Sequence, residues 1–413
     1  MASKSAGWKR LDIAPEKPWF DPMRTLLVVL LFATASVGAS PLSEWMDQPA
    51  ADRGAAPDLS LTEEESVQLR DKLSKEVLEK LKAEREAEVK EKSITLGDKT
   101  LLWLEKEFGK AADGKRSLWI SLHGGGTGPA AMNDQQWQNQ IRLYKPKEGI
   151  YIAPRAPDNA WNMWHLDYMD PLFDRLIIDM IATRGVDPNR VFLMGYSAGG
   201  DGVWQLAPRM ADRFAAAAMM AGHPGDASLL PLRNLPFAIF VGGKDAAYDR
   251  NKLDEEKGKE LDELEKADKG GYEHFVRVYK DLPHWMDGKD AEAVPWMAKH
   301  TRNPWPKKVI WVQDDVTHNR FYWLQVPADK AKVGEKITAT VEGNKISLKG
   351  DVSVGLKLYL SDALVDLDQN LTVTVNGEQK VSATVKRTPQ AIVESLKDLP
   401  DPTRCASAIL TLD

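Results

Sequence analysis

The chain has a single cysteine, Cys405, in 413 residues. One thiol excludes a disulfide framework and any cysteine-rich zinc or iron–sulfur site. Near the C-terminus it is expected as a small buried apolar residue. Basic charge is not in excess: 55 Lys and Arg stand against 61 Asp and Glu, for a formal net charge of −6. A mildly acidic chain argues against a nucleic-acid partner, whose phosphates need clustered cations. Gly (29) and Pro (24) are at ordinary levels, so no collagen-like or Pro-rich tract dominates. The apolar run at 25–39 falls short of the about 20 residues that span a bilayer comfortably.

What is present is an ordinary globular balance, 43% hydrophobic and 28% charged, in a chain long enough for two or three domains. Tryptophan is the outlier, with 14 residues. Its flat apolar side chains serve either a heavily packed core or the walls of a pocket.

The run at 25–39 follows Arg24 and ends in Val37-Gly38-Ala39. A basic residue, a short apolar stretch and a small-residue end are the parts of a secretory signal, expected to be cleaved near Ala39. The residues ahead of it are long for a charged region, which makes Met23 an alternative start; an uncleaved anchor or a buried strand are the other readings of the run. Export without disulfides fits a bacterial periplasm or medium better than a eukaryotic secretory route, with no stable membrane insertion after cleavage.

Four segments follow from composition and periodicity: 1–39, signal; 40–92, linker and charged helix; 93–306, an α/β domain; 307–413, a small antiparallel β-sandwich. The helix is marked by apolar residues at helical spacing within 59–91 and by Thr62-Glu63-Glu64-Glu65, a capping-box pattern. In the α/β segment, short apolar runs at 118–122, 150–153, 191–194, 215–220, 237–241 and 274–279 read as strands, several of them nearly continuous as expected of strands buried on both faces of a parallel sheet. Helical patterns at 171–183, 200–210 and 252–269 alternate with them. Beyond 307, alternating runs at 337–341, 345–349, 356–360, 371–375 and 381–385 are separated by turns such as Asn376-Gly377. The aromatic run at 316–324 also reads as a strand. It either binds carbohydrate or polymer, or docks this domain on its neighbour, and docking is favoured.

The chemistry gathers in the middle segment. Gly195-Tyr196-Ser197-Ala198-Gly199 is a G-x-S-x-G. Alone the pattern is weak, but here it follows an apolar strand and precedes a helix. That context lifts a serine hydroxyl out of a sheet on a sharp turn. Upstream, His123-Gly124-Gly125-Gly126 also follows a strand. Its backbone N–H groups, with that of Ala198, can converge on an oxyanion. No Gly-Lys-Ser or Gly-Lys-Thr follows, which disfavours a phosphate cradle.

A serine nucleophile needs a base, and the base an orienting acid. In the order Ser, Asp, His, the acid is Asp245 after the strand at 237–241, with Asp249 as the alternative on the same loop. The base is His284, on the loop after the strand at 274–279. Of the other histidines, His123 precedes the serine, His274 begins a strand, His165 and His223 come too early, and His300 and His318 sit at or beyond the domain edge.

Taken together, the His-Gly-Gly-Gly loop, Gly-Tyr-Ser-Ala-Gly-Gly, the late Gly-x-x-Asp and the final loop histidine resemble the α/β-hydrolase serine esterases. In detail they resemble the esterase group containing polyhydroxybutyrate depolymerase-like, feruloyl esterase-like and phospholipase/carboxylesterase-like proteins. The resemblance covers about 101–304. It implies a doubly wound, mostly parallel eight-stranded sheet and ester hydrolysis through an acyl-enzyme. By position it makes Ser197 the nucleophile, His284 the base and Asp245 the acid, with Gly124, Gly125 and Ala198 as oxyanion donors. The chemistry needs no metal or organic cofactor. The partner is a small-molecule or polymer ester. Trp161, Trp164, His165, His223 and Trp285 are candidate substrate-binding residues, Trp161, Trp164 and Trp285 also being candidates for mere loop packing. Asp201 is a further residue near the site. Two rival readings stay open: a serine peptidase of the same fold, and a non-catalytic carbohydrate-binding or envelope protein on a hydrolase scaffold.

Overall fold

Near-continuous apolar runs form strands when both faces of a sheet are covered, and the middle of this chain is built that way. The structure, a computed structural model, describes residues 40–112 and 114–413. The expected signal segment and Met23 lie outside the described residues. No helix among the described residues is long and apolar enough to cross a membrane.

Two helices come first, α1 (Pro41–Asp47) and α2 (Glu63–Glu91). The capping box is present in full: Thr62 accepts from the Glu65 backbone, and the Glu65 side chain accepts from the Thr62 backbone. The sheet then runs β1 (Ser93–Leu96), β2 (Lys99–Phe108), β3 (Arg116–Leu122), β4 (Gly149–Arg155), β5 (Val186–Tyr196), β6 (Ala216–Met220), β7 (Phe237–Gly242) and β8 (His274–Tyr279). The helices between and after them are α3 (Ala130–Gln140), α4 (Met169–Arg184), α5 (Ala198–Arg209), α6 (Arg250–Ala267) and α7 (Ala293–Met297). All six predicted strands and all three predicted helices of this segment fall on these elements, overrunning them by one residue at β6 and α5 and by two at α6. The hairpin β1–β2 and the helices α3 and α7 were not predicted.

The eight strands lie in the order β1-β2-β4-β3-β5-β6-β7-β8. Strands β3 to β8 are parallel, and β1 and β2 are antiparallel additions at one edge. Alternate residues of each parallel strand point to opposite faces. Leu118, Ile120, Leu193 and Ile239 join one apolar core with residues of α2, α4 and α5. Trp119, Phe192, Met194 and Phe240 join a second core with residues of α7. The sheet is therefore covered on both sides, and ligands meet such sheets at the C-terminal ends of the strands.

The chain after the sheet forms β9 (Lys308–Val312), β10 (Arg320–Phe321), β11 (Leu324–Gln325), β12 (Lys336–Glu342), β13 (Lys345–Gly350), β14 (Lys357–Leu360), β15 (Leu371–Val375), β16 (Glu378–Ala383), α8 (Pro389–Asp398) and β17 (Ala408–Thr411). Two sheets result, β16-β15-β13-β12-β9 and β10-β11-β14-β17. Three features differ from the sequence reading. The β13–β15 pair is parallel. The strand expected at 381–385 lies earlier, at Glu378–Ala383, and α8 was not foreseen. The run at 316–324 is no single strand: Tyr322 takes φ 52° and folds it into the β10–β11 hairpin.

The aromatics of that hairpin are buried, so they offer no face to a carbohydrate. They form a seam with the first sheet's domain instead. The Tyr322 N–H donates to Asp212 Oδ2 at 3.0 Å, and Arg404 Nη2 meets the same carboxylate at 2.5 Å. Burial pushes the Asp212 carboxyl up, but the charges of Arg213 and Arg404 outweigh it and hold it below its ordinary range. Helix α2 ties the regions together from outside. It pairs Arg85 with Asp179 (2.9 Å) and Glu88 with Arg175 (2.7 Å), both partners on α4. Its Leu69 and Leu73 pack in one cluster with Ile392 and Leu396 of α8. Cys405 is buried in that cluster, and burial pushes its thiol up to about 12.

Candidate active site

Strand β5 ends at Tyr196 and α5 begins at Ala198, which leaves Ser197 alone on the turn. Its backbone has φ 58° and ψ −123°, a strained conformation for a residue with a side chain, worth about 1–3 kcal/mol. The turn is this sharp because its flanks are glycine. A Cβ on Gly195 would stand 2.2 Å from Gly199 O, and one on Gly199 would stand 2.2 Å from Leu122 O. The Ser197 N–H is anchored to Met220 O at 2.9 Å. Its hydroxyl is left to face the loops beyond the strand ends.

Two of those loops reach it. His284, after β8, has Nε2 at 2.9 Å from Ser197 Oγ and Nδ1 at 2.6 Å from Asp245 Oδ2, after β7. A carboxylate only accepts, so Nδ1 carries the proton and Nε2 is free to accept from the hydroxyl. Asp245 is buried, whereas Asp249 is exposed and pairs with Lys252 at 2.8 Å. The structure brings Asp245, the acid preferred from the sequence, and not the alternative Asp249, to the imidazole. The backbone of the base is held too. The Tyr196 hydroxyl donates to His284 O at 2.6 Å and accepts from the Met286 N–H at 3.1 Å. Tyr196 went unnoticed as the variable residue of the motif.

The glycine loop lies against the serine. A Cβ on Gly124 would stand 3.1 Å from Ser197 Cβ. Gly125 takes φ 121° and packs on Asn133. Asn133 accepts from the Gly126 N–H and donates to Gly126 O, both at 2.9 Å, which occupies that N–H. Ala198 opens α5, and the first N–H groups of a helix have no partner within it. His123 fixes the loop from below: Nδ1 donates to Gly124 O at 2.6 Å, and Nε2 accepts from the Ala156 N–H at 3.2 Å. Burial, with the Arg155 charge, pushes this imidazole down to about 4 against the Gly124 hydrogen bond. His123 is thus a neutral strut. It and Asn133 were missed as positioning residues, though the glycine motif itself begins at His123.

The expected substrate residues divide. Trp161 is 65% exposed, and its Cα lies 3.5 Å from where a Cβ on Gly126 would be. Trp285 is 47% exposed, with its ring 5.6 Å from that of Tyr196. Trp164 is corrected: it is fully buried, its indole donates to His123 O at 2.9 Å, and it has no face left for a ligand. His165 is half-buried with its ring against Trp161, and burial pushes it down to about 4. The His223 N–H donates to Asp201 Oδ1 at 2.6 Å, which holds the loop after β6 against the first turn of α5. Burial raises the Asp201 carboxyl, partly offset by that bond. A cavity of about 760 Å³ between α2, α4 and α8 shares no residue with this site.

No protein-family model matches the chain, and no curated protein does. Among solved structures it is similar to a thermostable esterase, at 18% identity and TM-score 0.41 over 51% of this chain and 63% of that one, under two thirds of its length. It is similar to a Bacillus cereus carboxylesterase at 14% identity and TM-score 0.36, over 48% of this chain and 94% of the other. It is also similar to a Pyrococcus horikoshii acylaminoacyl peptidase at 14% identity and TM-score 0.33, over 50% of this chain and 39% of that one. With six parallel strands, an antiparallel pair at the edge and the serine on the turn after β5, the chain has the α/β-hydrolase fold.

Proposed function

We propose that the protein is a serine hydrolase that cleaves carboxylic esters through an acyl-enzyme. One observation carries the reading: the continuous hydrogen-bonded chain from Ser197 Oγ through His284 to the buried Asp245. As the Ser197 oxygen attacks the ester carbonyl, His284 takes its proton at Nε2. Asp245 holds the imidazole in the right tautomer and stabilises the imidazolium. N–H groups of Gly124, Gly125 and Ala198 receive the oxyanion. His284 then protonates the leaving alcohol, and water repeats the cycle to release the acid. The exposed rings of Trp161, whose backbone lies against Gly126, and of Trp285, beside Tyr196, receive the apolar part of the substrate.

Steady-state hydrolysis of p-nitrophenyl acetate, a feruloyl ester and a peptide amide by the wild type and S197A tests this. Ester turnover lost in S197A, with little amide cleavage, is the expected pattern. Turnover retained in S197A refutes the assignment, and preferred amide cleavage makes the protein a peptidase. Export belongs to the same proposal. N-terminal sequencing of protein recovered from the cell envelope or medium should read from about Ser40, and an intact N-terminus would contradict it.

A further inference from the structure

The loop carrying Trp161 is not held by the first sheet's domain alone. Its carbonyl at His165 accepts from Arg209 Nη2 at 3.0 Å. That same nitrogen meets Asp170 Oδ1 at 2.6 Å, and Asp170 Oδ2 meets His318 Nε2 at 2.6 Å. His318 comes from beyond β9, in the C-terminal β region. Its own backbone is fixed by Gln313, which donates to His318 O at 2.6 Å and accepts from the His318 N–H at 2.9 Å. Asp315 of the same loop stands 3.7 Å from Arg209 Nη1.

Asp170 and Arg209 are both buried. A buried carboxylate keeps its place only while its lone pairs are satisfied, and the guanidinium fills one oxygen only. Burial pushes Asp170 up, but the His318 hydrogen bond and the Arg209 charge outweigh it, so the carboxylate persists. At the far end of the relay the His165 ring stands edge-on to Trp161, 5.5 Å between centroids. The Trp161 N–H in turn donates to Thr127 Oγ1 at 3.1 Å, just past the glycine turn.

We propose that His318 is a positioning residue for the substrate loop: through Asp170 and Arg209 it fixes the His165 carbonyl, and so keeps Trp161 beside the glycine turn. The inference rests on the ester-hydrolase reading and on Trp161 as a substrate platform. It gives the C-terminal β region a part in substrate binding without any contact to substrate.

The test measures kcat and KM of the full chain on p-nitrophenyl acetate, which is too small to need the platform, and on a feruloyl ester. His318→Ala should raise KM for the feruloyl ester about tenfold and leave kcat on the acetate near wild type. His318→Gln, which restores a donor at the position of Nε2, should return KM toward the wild-type value. In a Trp161→Ala background, His318→Ala should add nothing further. If His318→Ala does not fold, His318→Met takes its place with the same expectations. An unchanged feruloyl KM overturns the proposal, as does an equal rise with Trp161 absent. Loss of acetate turnover in step with the feruloyl effect also overturns it, because a general structural role does that. Wild-type inactivity on both esters would instead refute the hydrolase reading.

Discussion

The hydroxyl of Tyr196, the residue before the candidate nucleophile, donates to the backbone carbonyl of His284, the candidate base, at 2.6 Å. The two catalytic loops are thus tied by a bond independent of the chemistry. Tyr196→Phe leaves His284 O and the Met286 N–H without their partner, a loss of about 1–3 kcal/mol for buried groups. We expect kcat to fall about tenfold with KM little changed and the far-UV circular dichroism intact. Wild-type kcat in this variant would show that the loop is held by other contacts.

Gly242 ends β7 where the His284 loop crosses it. A Cβ there would stand 2.1 Å from Pro283 O. Gly242→Ala must push that loop away, and a misplacement near 1 Å costs about 100-fold in rate. Gly54 has open space where its Cβ would be, so Gly54→Ala is the control and should retain full activity.

The acid is assigned by burial and contact. Asp245→Asn should lower kcat about 10⁴-fold, since it favours the wrong tautomer of His284. Asp249→Asn, which removes only an exposed contact to Lys252, should stay within about twofold of wild type. Kinetics of the two variants, side by side, check this.

His123 is expected to set part of the acid sensitivity of the fold. Its imidazole takes a proton near 6.5 when unfolded but only near 4 when folded, because burial disfavours the charge. Between those values the unfolded chain holds the extra proton. Its contribution is therefore complete above pH 6.5 and lost as pH falls toward 4, by about 3 kcal/mol. His123→Asn keeps a donor for Gly124 O and removes the titration. Urea unfolding from pH 7 to 4 should show a shallower decline for this variant than for the wild type.

The sequence disclosed the site better than its supports. The strand-turn-helix around Ser197 and the loops of Asp245 and His284 were legible because each chemical residue follows a strand-like run, Ser197 after the buried end of β5, Asp245 after the buried β7 and His284 after the half-exposed edge strand β8. Asp245 was preferred to Asp249 for its place at the end of β7, but the sequence held no sign that Asp245 is buried against His284 while Asp249, four residues on, faces Lys252. Standing in a Trp-rich loop, Trp164 fits both a pocket wall and loop packing by sequence, and the structure gives it the second place. The signal against a pocket wall was Gly202 inside α5, where a Cβ would come 2.4 Å from the Trp164 Cβ. Tyr196, Asn133 and His123 act through contacts with backbone distant in sequence, which no local pattern records. The parallel β13–β15 pair escaped notice for a related reason: alternation marks a strand but not the direction of its neighbour.

The central claim is that the Ser197 hydroxyl is a nucleophile activated by His284. Incubation of the wild type with a fluorophosphonate, followed by peptide mass mapping, tests it most directly. The account predicts one phosphonyl adduct, on Ser197, whose formation slows at least about 100-fold in His284→Ala. An unlabelled wild type, or an adduct on another residue, would contradict it.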